Sequence, residues 1–184
     1  LGCCSSFIQS ARRFDILAPM KLLLVRHAKA EDREGFDGPD DERPLTANGR
    51  QKFRTAAKGL RKLAPDINLL ATSPLRRARQ TAEVLARVFA ARGIVEQDLL
   101  APGGSRKALL GWLEEQADDD VIALVGHEPD LSELATCLLA KSTHPLLEFR
   151  KGAAALVRFE GRPAAGHGVL EWLLPPAVLR DCWR

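Results

Sequence analysis

Residues 21–27 read Lys-Leu-Leu-Leu-Val-Arg-His, KLLLVRH, a continuous apolar run that ends in charge. An alternating pattern would mark a strand with one wet face, whereas an unbroken run marks a strand covered on both faces in a parallel sheet. We therefore expect a strand over residues 21–26 that delivers Arg26 and His27 at its carboxyl end. The next stretch, AEDREGFDGPDDERPL at residues 30–45, is too rich in Asp, Gly and Pro for a regular element and reads as a loop above that strand.

Outward from there, strands and helices alternate. Thr46 is placed to cap a helix running to about Leu63, with Phe53, Ala56, Ala57, Leu60 and Leu63 on one stripe. Ile67–Ala71 is a second apolar strand. Ser73 and Pro74 follow as the expected N-cap and first residue of a helix to about Ala91, which sets Arg76 and Arg77 in its first turn. A short strand at Ile94–Val95 and an amphipathic helix over 105–116, using Leu109, Leu110 and Leu113, come next. Residues 121–125, VIALV, form the clearest later strand and end in Gly126–His127–Glu128–Pro129, where Pro129 opens a helix through Leu139. Ala154–Phe159 and Val169–Leu174 complete the sheet. The alternation predicts an α/β fold, a three-layer α/β/α sandwich with a mostly parallel central sheet, whose right-handed crossovers line the strand carboxyl ends along one edge. Ligands bind at that edge.

Composition limits the function classes. The 184 residues fit one domain, and 27 Lys+Arg against 24 Asp+Glu leave a net charge of only +3, without the concentrated basic surface that nucleic-acid binding requires. Trp112, Trp172 and Trp183 read as packing residues, since no basic aromatic ladder accompanies them. No apolar run approaches a bilayer span. Cys3, Cys4, Cys137 and Cys182 have neither zinc-site spacing nor the density of a disulfide scaffold, which fits a cytoplasmic protein. Residues 1–19 show no amphipathic period and end just before Met20, so we read them as a disordered extension ahead of one domain over 20–184. No metal is expected: Asp118–Asp119–Asp120 are consecutive, whereas a tight cation site draws ligands from several elements. His144 and His167 lie in polar or Gly-rich surroundings and read as surface histidines. No heptad or exposed apolar stripe suggests an oligomer, and a monomer is expected.

Three segments converge on the sheet edge: Arg26–His27, Arg76–Arg77 and His127. One Arg or His at a strand end is usually a solvated terminus. Together they make a site cationic enough for phosphate. Phosphoryl transfer asks mainly for positioning and for charge complementary to the equatorial oxygens, which arginine forks supply. A neutral imidazole there can attack phosphorus, dividing hydrolysis into phosphohistidine formation and its attack by water.

The segments LLLVRHAKA, SPLRRARQTAE and LVGHEPDL resemble the three signature segments of the histidine phosphatase (phosphoglycerate mutase-like) superfamily. Compact size and the Arg43–Pro44–Leu45–Thr46 segment are similar to the small SixA-type phosphohistidine phosphatases. The resemblance covers about Met20 to the C-terminus. It implies that His27 is the phosphorylated nucleophile, that Arg26 and Arg77 grip the phosphoryl oxygens, and that His127 completes the pocket. Arg77 rather than Arg76 matches the family's S-x-L-x-R-A segment. The resemblance also carries Arg43 and Asp40, in the loop before Pro44–Leu45–Thr46, as phosphate or substrate contacts.

Two departures stand out. Ala28 replaces the glycine of the familiar R-H-G motif, which matters if the backbone there needs a positive φ. The second is the general acid: the stretch EQDLLAPGGS offers Asp98 in no compelling context, and a first-loop residue such as Asp37 or Asp40, or water, is the alternative donor. A phosphate ester needs its leaving alkoxide protonated, while a phosphoramidate can release neutral imidazole. The gap favours phosphohistidine on a protein, such as a histidine-phosphotransfer or phosphorelay partner, over a small phosphate ester, with no cofactor.

Overall fold

The computed structural model describes residues 19–116 and 121–184; the extension up to residue 18 and the run Asp118–Asp120 lie outside them. Six strands, β1 (Met20–Arg26), β2 (Leu69–Thr72), β3 (Val95–Glu96), β4 (Val121–Gly126), β5 (Ala154–Phe159) and β6 (Val169–Leu174), form one sheet in the order β3-β2-β4-β1-β5-β6. Strands β3, β2, β4 and β1 are parallel; β5 runs antiparallel to β1, and β6 antiparallel to β5.

β1 is central, and its sequence shows why. Leu23 and Val25 face one core with helices α1 (Ala47–Leu63), α2 (Arg76–Phe89) and α5 (Pro176–Asp181). Leu22 and Leu24 face the other, with α3 (Arg106–Glu115) and α4 (Asp130–Ala140). All four leucine and valine side chains are fully buried, which only an unbroken apolar run allows. The mostly parallel three-layer sandwich read from the sequence is the observed fold.

Local departures have local causes. Thr46 caps α1 as read, its Oγ1 accepting from the Gly49 N–H at 2.8 Å, but Leu63, the last helical residue, is exposed rather than on the buried stripe. Ser73 is not the N-cap of α2: the helix begins at Arg76, and the Ser73 hydroxyl accepts from the Leu75 N–H at 3.3 Å and meets His127. The sequence reading contains no α5, because six residues make fewer than two turns and show no period; Pro176 at its first position is the one signal. α5 lies against α1 at Gly59, where a Cβ would fall 1.8 Å from the Leu179 carbonyl oxygen, so only glycine fits. Among the described residues no helix is long and apolar enough to cross a membrane.

Candidate active site

The parallel ladder brings the ends of β1, β2 and β4 side by side. His27 N–H continues it by donating to the Gly126 carbonyl, and Ser73 N–H donates to that of Val125. His27 is 6% exposed and its Nδ1 lies 2.8 Å from the Ala28 carbonyl oxygen. A carbonyl can only accept, so Nδ1 carries the proton and the lone pair is on Nε2.

Arg77 is 5% exposed on the first turn of α2, with Nη1 donating to the Asp40 carbonyl at 2.7 Å and Nη2 to its carboxylate at 3.1 Å. Asp40, on the 3₁₀ turn Asp40–Glu42, also receives Arg33 at 2.7 Å and the Arg43 Nε at 2.9 Å. Arg43 further donates to the Glu31 carbonyl at 2.6 Å, so its guanidinium ties the loop together beside Arg77. Arg76 turns outward to Glu42. Arg26 donates through Nη1 to the Phe149 carbonyl.

His127, 3% exposed, sits with its ring centroid 5.0 Å from that of His27 and its Nε2 2.8 Å from the Ser73 hydroxyl. Three buried polar atoms here, Arg26 Nε, Arg77 Nε and His127 Nδ1, have no hydrogen-bond partner among the described residues. An unsatisfied buried donor costs roughly 1–3 kcal/mol. Two of the three are obligatory N–H donors of permanent cations, the complement of an oxyanion. Beside His27, with Ala28 and Gly152 in its wall, opens a cleft of about 320 Å³ that carries Lys29, Lys52, Lys151 and Arg180.

Several supporting residues were not read from the sequence. The Thr81 hydroxyl accepts from the Ala28 N–H at 3.1 Å and donates to the Arg77 carbonyl at 2.7 Å, coupling the two motifs; a threonine bonding back four residues within a helix is its only local signature. Glu128 accepts from the Phe149 N–H at 2.8 Å and from Ser132 at 2.6 Å, holding the residue whose carbonyl Arg26 uses. Ala28 has no positive φ: among non-glycine described residues only Ala90 and Lys141 do, so glycine is not required at 28. The glycine lies instead at 152, with φ +80° and an N–H that donates to both the Arg26 and His27 carbonyls. A Cβ there would stand 3.3 Å from the Phe53 ring. Gly152→Ala is expected to lower stability by about 1–2 kcal/mol, the cost of a left-handed alanine, and turnover by roughly tenfold to hundredfold through displacement of His27. Thermal denaturation and phosphate release measure the two effects, and an unchanged turnover would detach Gly152 from the site.

Burial, with Arg77, Arg26 and Lys151 nearby, lowers the His27 pKa to about 3 against the raising effect of the Ala28 bond. Burial, His27 and Arg77 likewise lower that of His127 to about 3. For Asp40 burial alone would raise the pKa, but Arg33, Arg43 and Arg77 outweigh it and hold the carboxyl at about 2. Burial lowers the Arg77 pKa, partly offset by Asp40.

Both histidines are thus neutral when folded and charge only when unfolded. Between pH 6.5 and about 3 the unfolded chain binds more protons, so their stabilising contribution is complete above pH 6.5 and is lost as pH falls. The expected slope is up to about 1.4 kcal/mol per pH unit for each histidine. Urea unfolding from pH 7.5 to 4 measures it; a flat profile would contradict the neutral pair.

None of the acids named from sequence stands as a proton donor. Asp40 is ionised, and Asp98 and Asp37 are exposed, with no hydrogen bond or ion pair to His27, Arg77 or His127 among the described residues. His144 and His167 are exposed and away from these groups.

The sequence profile of the histidine phosphatase superfamily (branch 1) matches residues 22–100. An uncharacterised protein of Picosynechococcus sp. is 37% identical over 166 residues, spanning 85% of this chain and all of that protein. Phosphohistidine phosphatase SixA of Escherichia coli K12 is 27% identical over 165 residues, spanning 88% of this chain and 97% of SixA. The solved structure of the protein histidine phosphatase SixA complexed with tungstate superimposes with a TM-score of 0.76 at 25% identity, over 87% of this chain and 99% of that one. The chain belongs to the histidine phosphatase superfamily and is SixA-like in fold.

Proposed function

We propose that the protein is a phosphohistidine phosphatase, hydrolysing phosphoryl groups from protein histidine through a covalent phosphohistidine on His27. The observation that carries this reading is a neutral His27 with its lone pair on Nε2, beside buried Arg26 and Arg77 Nε–H groups that have no acceptor among the described residues. A phosphoryl group supplies those acceptors, and SixA's complex with tungstate, a tetrahedral oxyanion, supports such a pocket.

In the first step Nε2 attacks phosphorus while the substrate's N–P bond breaks. A phosphohistidine protonated on its other ring nitrogen releases neutral imidazole, so no acid is needed at the moment of cleavage. That suits a site in which Asp40, the carboxylate bound to Arg77, is held ionised. In the second step water attacks the phosphorus and the His27–P bond breaks. The Ala28 carbonyl keeps Nδ1 protonated throughout, so His27 also departs as neutral imidazole. Neutral His127 accepts the proton from the water, and inorganic phosphate leaves. Arg26 and Arg77 bear the charge of the transferred group; Asp40 and Arg43 hold Arg77 and its loop. In the same reading residues 20–184 are the catalytic domain of a cytoplasmic monomer that needs no metal.

The test is phosphate release, with EDTA present, from a phosphohistidine-bearing protein and from a panel of phosphate monoesters. Phosphohistidine is expected to be preferred by at least about 100-fold in kcat/KM, since ester cleavage lacks the proton transfer that typically contributes 10²–10⁴-fold. Preference for an ester would move the substrate to small phosphomonoesters and require a donor in the loop.

A further inference from the structure

Helix α1 reads ANGRQKFRTAAKGLRKL: six basic residues and no acid, in a chain whose charges nearly balance overall. Arg61 and Lys62, in its last turn, suit the negative end of the helix dipole. Arg50, Lys52 and Arg54 sit toward the other end, which repels them. Like charges four apart on a helix add a further cost.

Four of the six, Arg50, Arg54, Lys58 and Arg61, recur at spacings of four, four and three and so share one face. That face forms one wall of a cleft of about 460 Å³ between α1 and α2, and Arg87 of α2 stands in the opposite wall. Among the described residues the cleft is lined by no carboxylate, and of its cations only Arg61 makes an ion pair, with Asp66 at 2.6 Å. Trp183 closes one part of it, 43% exposed, with the Lys58 ammonium 4.7 Å from its ring centroid. None of Arg26, His27, Arg77 and His127 lines this cleft.

The volume falls in the range of small-ligand sites. Four cations without counter-charge, Arg50, Arg54, Lys58 and Arg87, call for a ligand with several anionic groups, and arginine forks are matched to phosphate oxygens. We propose that the α1–α2 cleft is a binding site for a small oligophosphate, separate from the candidate active site. Arg54, Lys58 and Arg87 contact successive phosphate groups, and Trp183 offers a face to any attached aromatic base.

The full-length protein carrying His27→Ala, to prevent turnover, is titrated with sodium tripolyphosphate by calorimetry. Adding Arg54→Ala, Lys58→Ala and Arg87→Ala together is expected to weaken binding at least about tenfold, while adding Arg77→Ala instead leaves this binding in place. The triple variant in the parent protein keeps its phosphohistidine phosphatase rate, and its melting temperature stays equal or rises as repulsion is relieved. If the triple variant does not fold, single Arg54→Ala and Arg87→Ala variants, both at exposed positions, each show about threefold weaker binding.

ATP distinguishes the sources of the phosphate chain. Affinity equal to that of tripolyphosphate supports recognition of the chain alone, and tighter binding that is lost in Trp183→Leu supports a nucleotide. Binding that survives the cleft substitutions, binding lost only with Arg77→Ala, or no binding up to millimolar tripolyphosphate would each overturn the proposal.

Discussion

His27→Ala is expected to reduce phosphate release by roughly 10⁴-fold or more, the scale on which removing an enzyme's nucleophile acts. Arg26, Arg77 and His127 remain, so affinity for inorganic phosphate should change only a few-fold while kcat collapses. That split separates loss of the attacking atom from loss of the pocket. Brief incubation of the parent protein with labelled substrate should trap a protein-bound phosphoryl group that is labile to acid and stable to alkali, as a phosphoramidate is, and the variant should trap none. The substituted chain should fold, since a small side chain at this 6% exposed position removes a buried imidazole rather than half of a charge pair. Turnover within about tenfold of the parent would eliminate the covalent route and with it the role assigned to His27.

How far the site was legible follows from which of its parts are set by local sequence. Arg26 and His27 were readable because a strand buried on both faces must end in the first charged residues of its run, and the carboxyl ends of parallel strands meet by topology. The same reasoning gave His127 after VIALV and the Arg76–Arg77 pair in the helix turn after β2, while the choice of Arg77 over Arg76 came from the family resemblance. Partnerships across elements were not readable. Ser73 looked like a helix cap because Ser-Pro usually begins a helix, yet the chain spends two further residues turning and leaves its hydroxyl to His127. Gly152 and Phe149 come from the segment between α4 and β5, which has no period, and their parts in holding His27 and Arg26 depend on the antiparallel return of β5 beside β1.

The acidic loop shows the same limit in its electrostatics. Asp40–Asp41–Glu42 resembles a solvated charge run until the 3₁₀ turn sets Asp40 among Arg33, Arg43 and Arg77. Asp41 and Glu42, its sequence neighbours, face solvent. Periodicity cannot distinguish the three, because what separates them is contact with residues up to 37 positions away.

Arg77→Ala is expected to lower kcat/KM by roughly 10²–10³-fold, the cost of removing one preorganised donor to a developing oxyanion. Arg77→Lys should recover little of it. The guanidinium spans two Asp40 acceptors, the carbonyl at 2.7 Å and the carboxylate at 3.1 Å, and retains further N–H groups, including Nε, for a phosphoryl oxygen. An ammonium is a point charge and cannot make both sets at once. Asp40→Asn should act through the same guanidinium: it removes the charge that holds Arg77, Arg43 and Arg33 together, and a loss of about tenfold follows from loosened positioning. The two residues form a unit, so the double substitution Asp40→Asn with Arg77→Ala should be scarcely worse than Arg77→Ala alone, a non-additivity that phosphate-release kinetics on the four proteins measures. Additive losses would mean that Asp40 acts on the substrate independently of Arg77. A pH profile would then identify the action: a proton donor would add a basic limb that disappears in Asp40→Asn, whereas a carboxylate ionised from about pH 2 upward adds none.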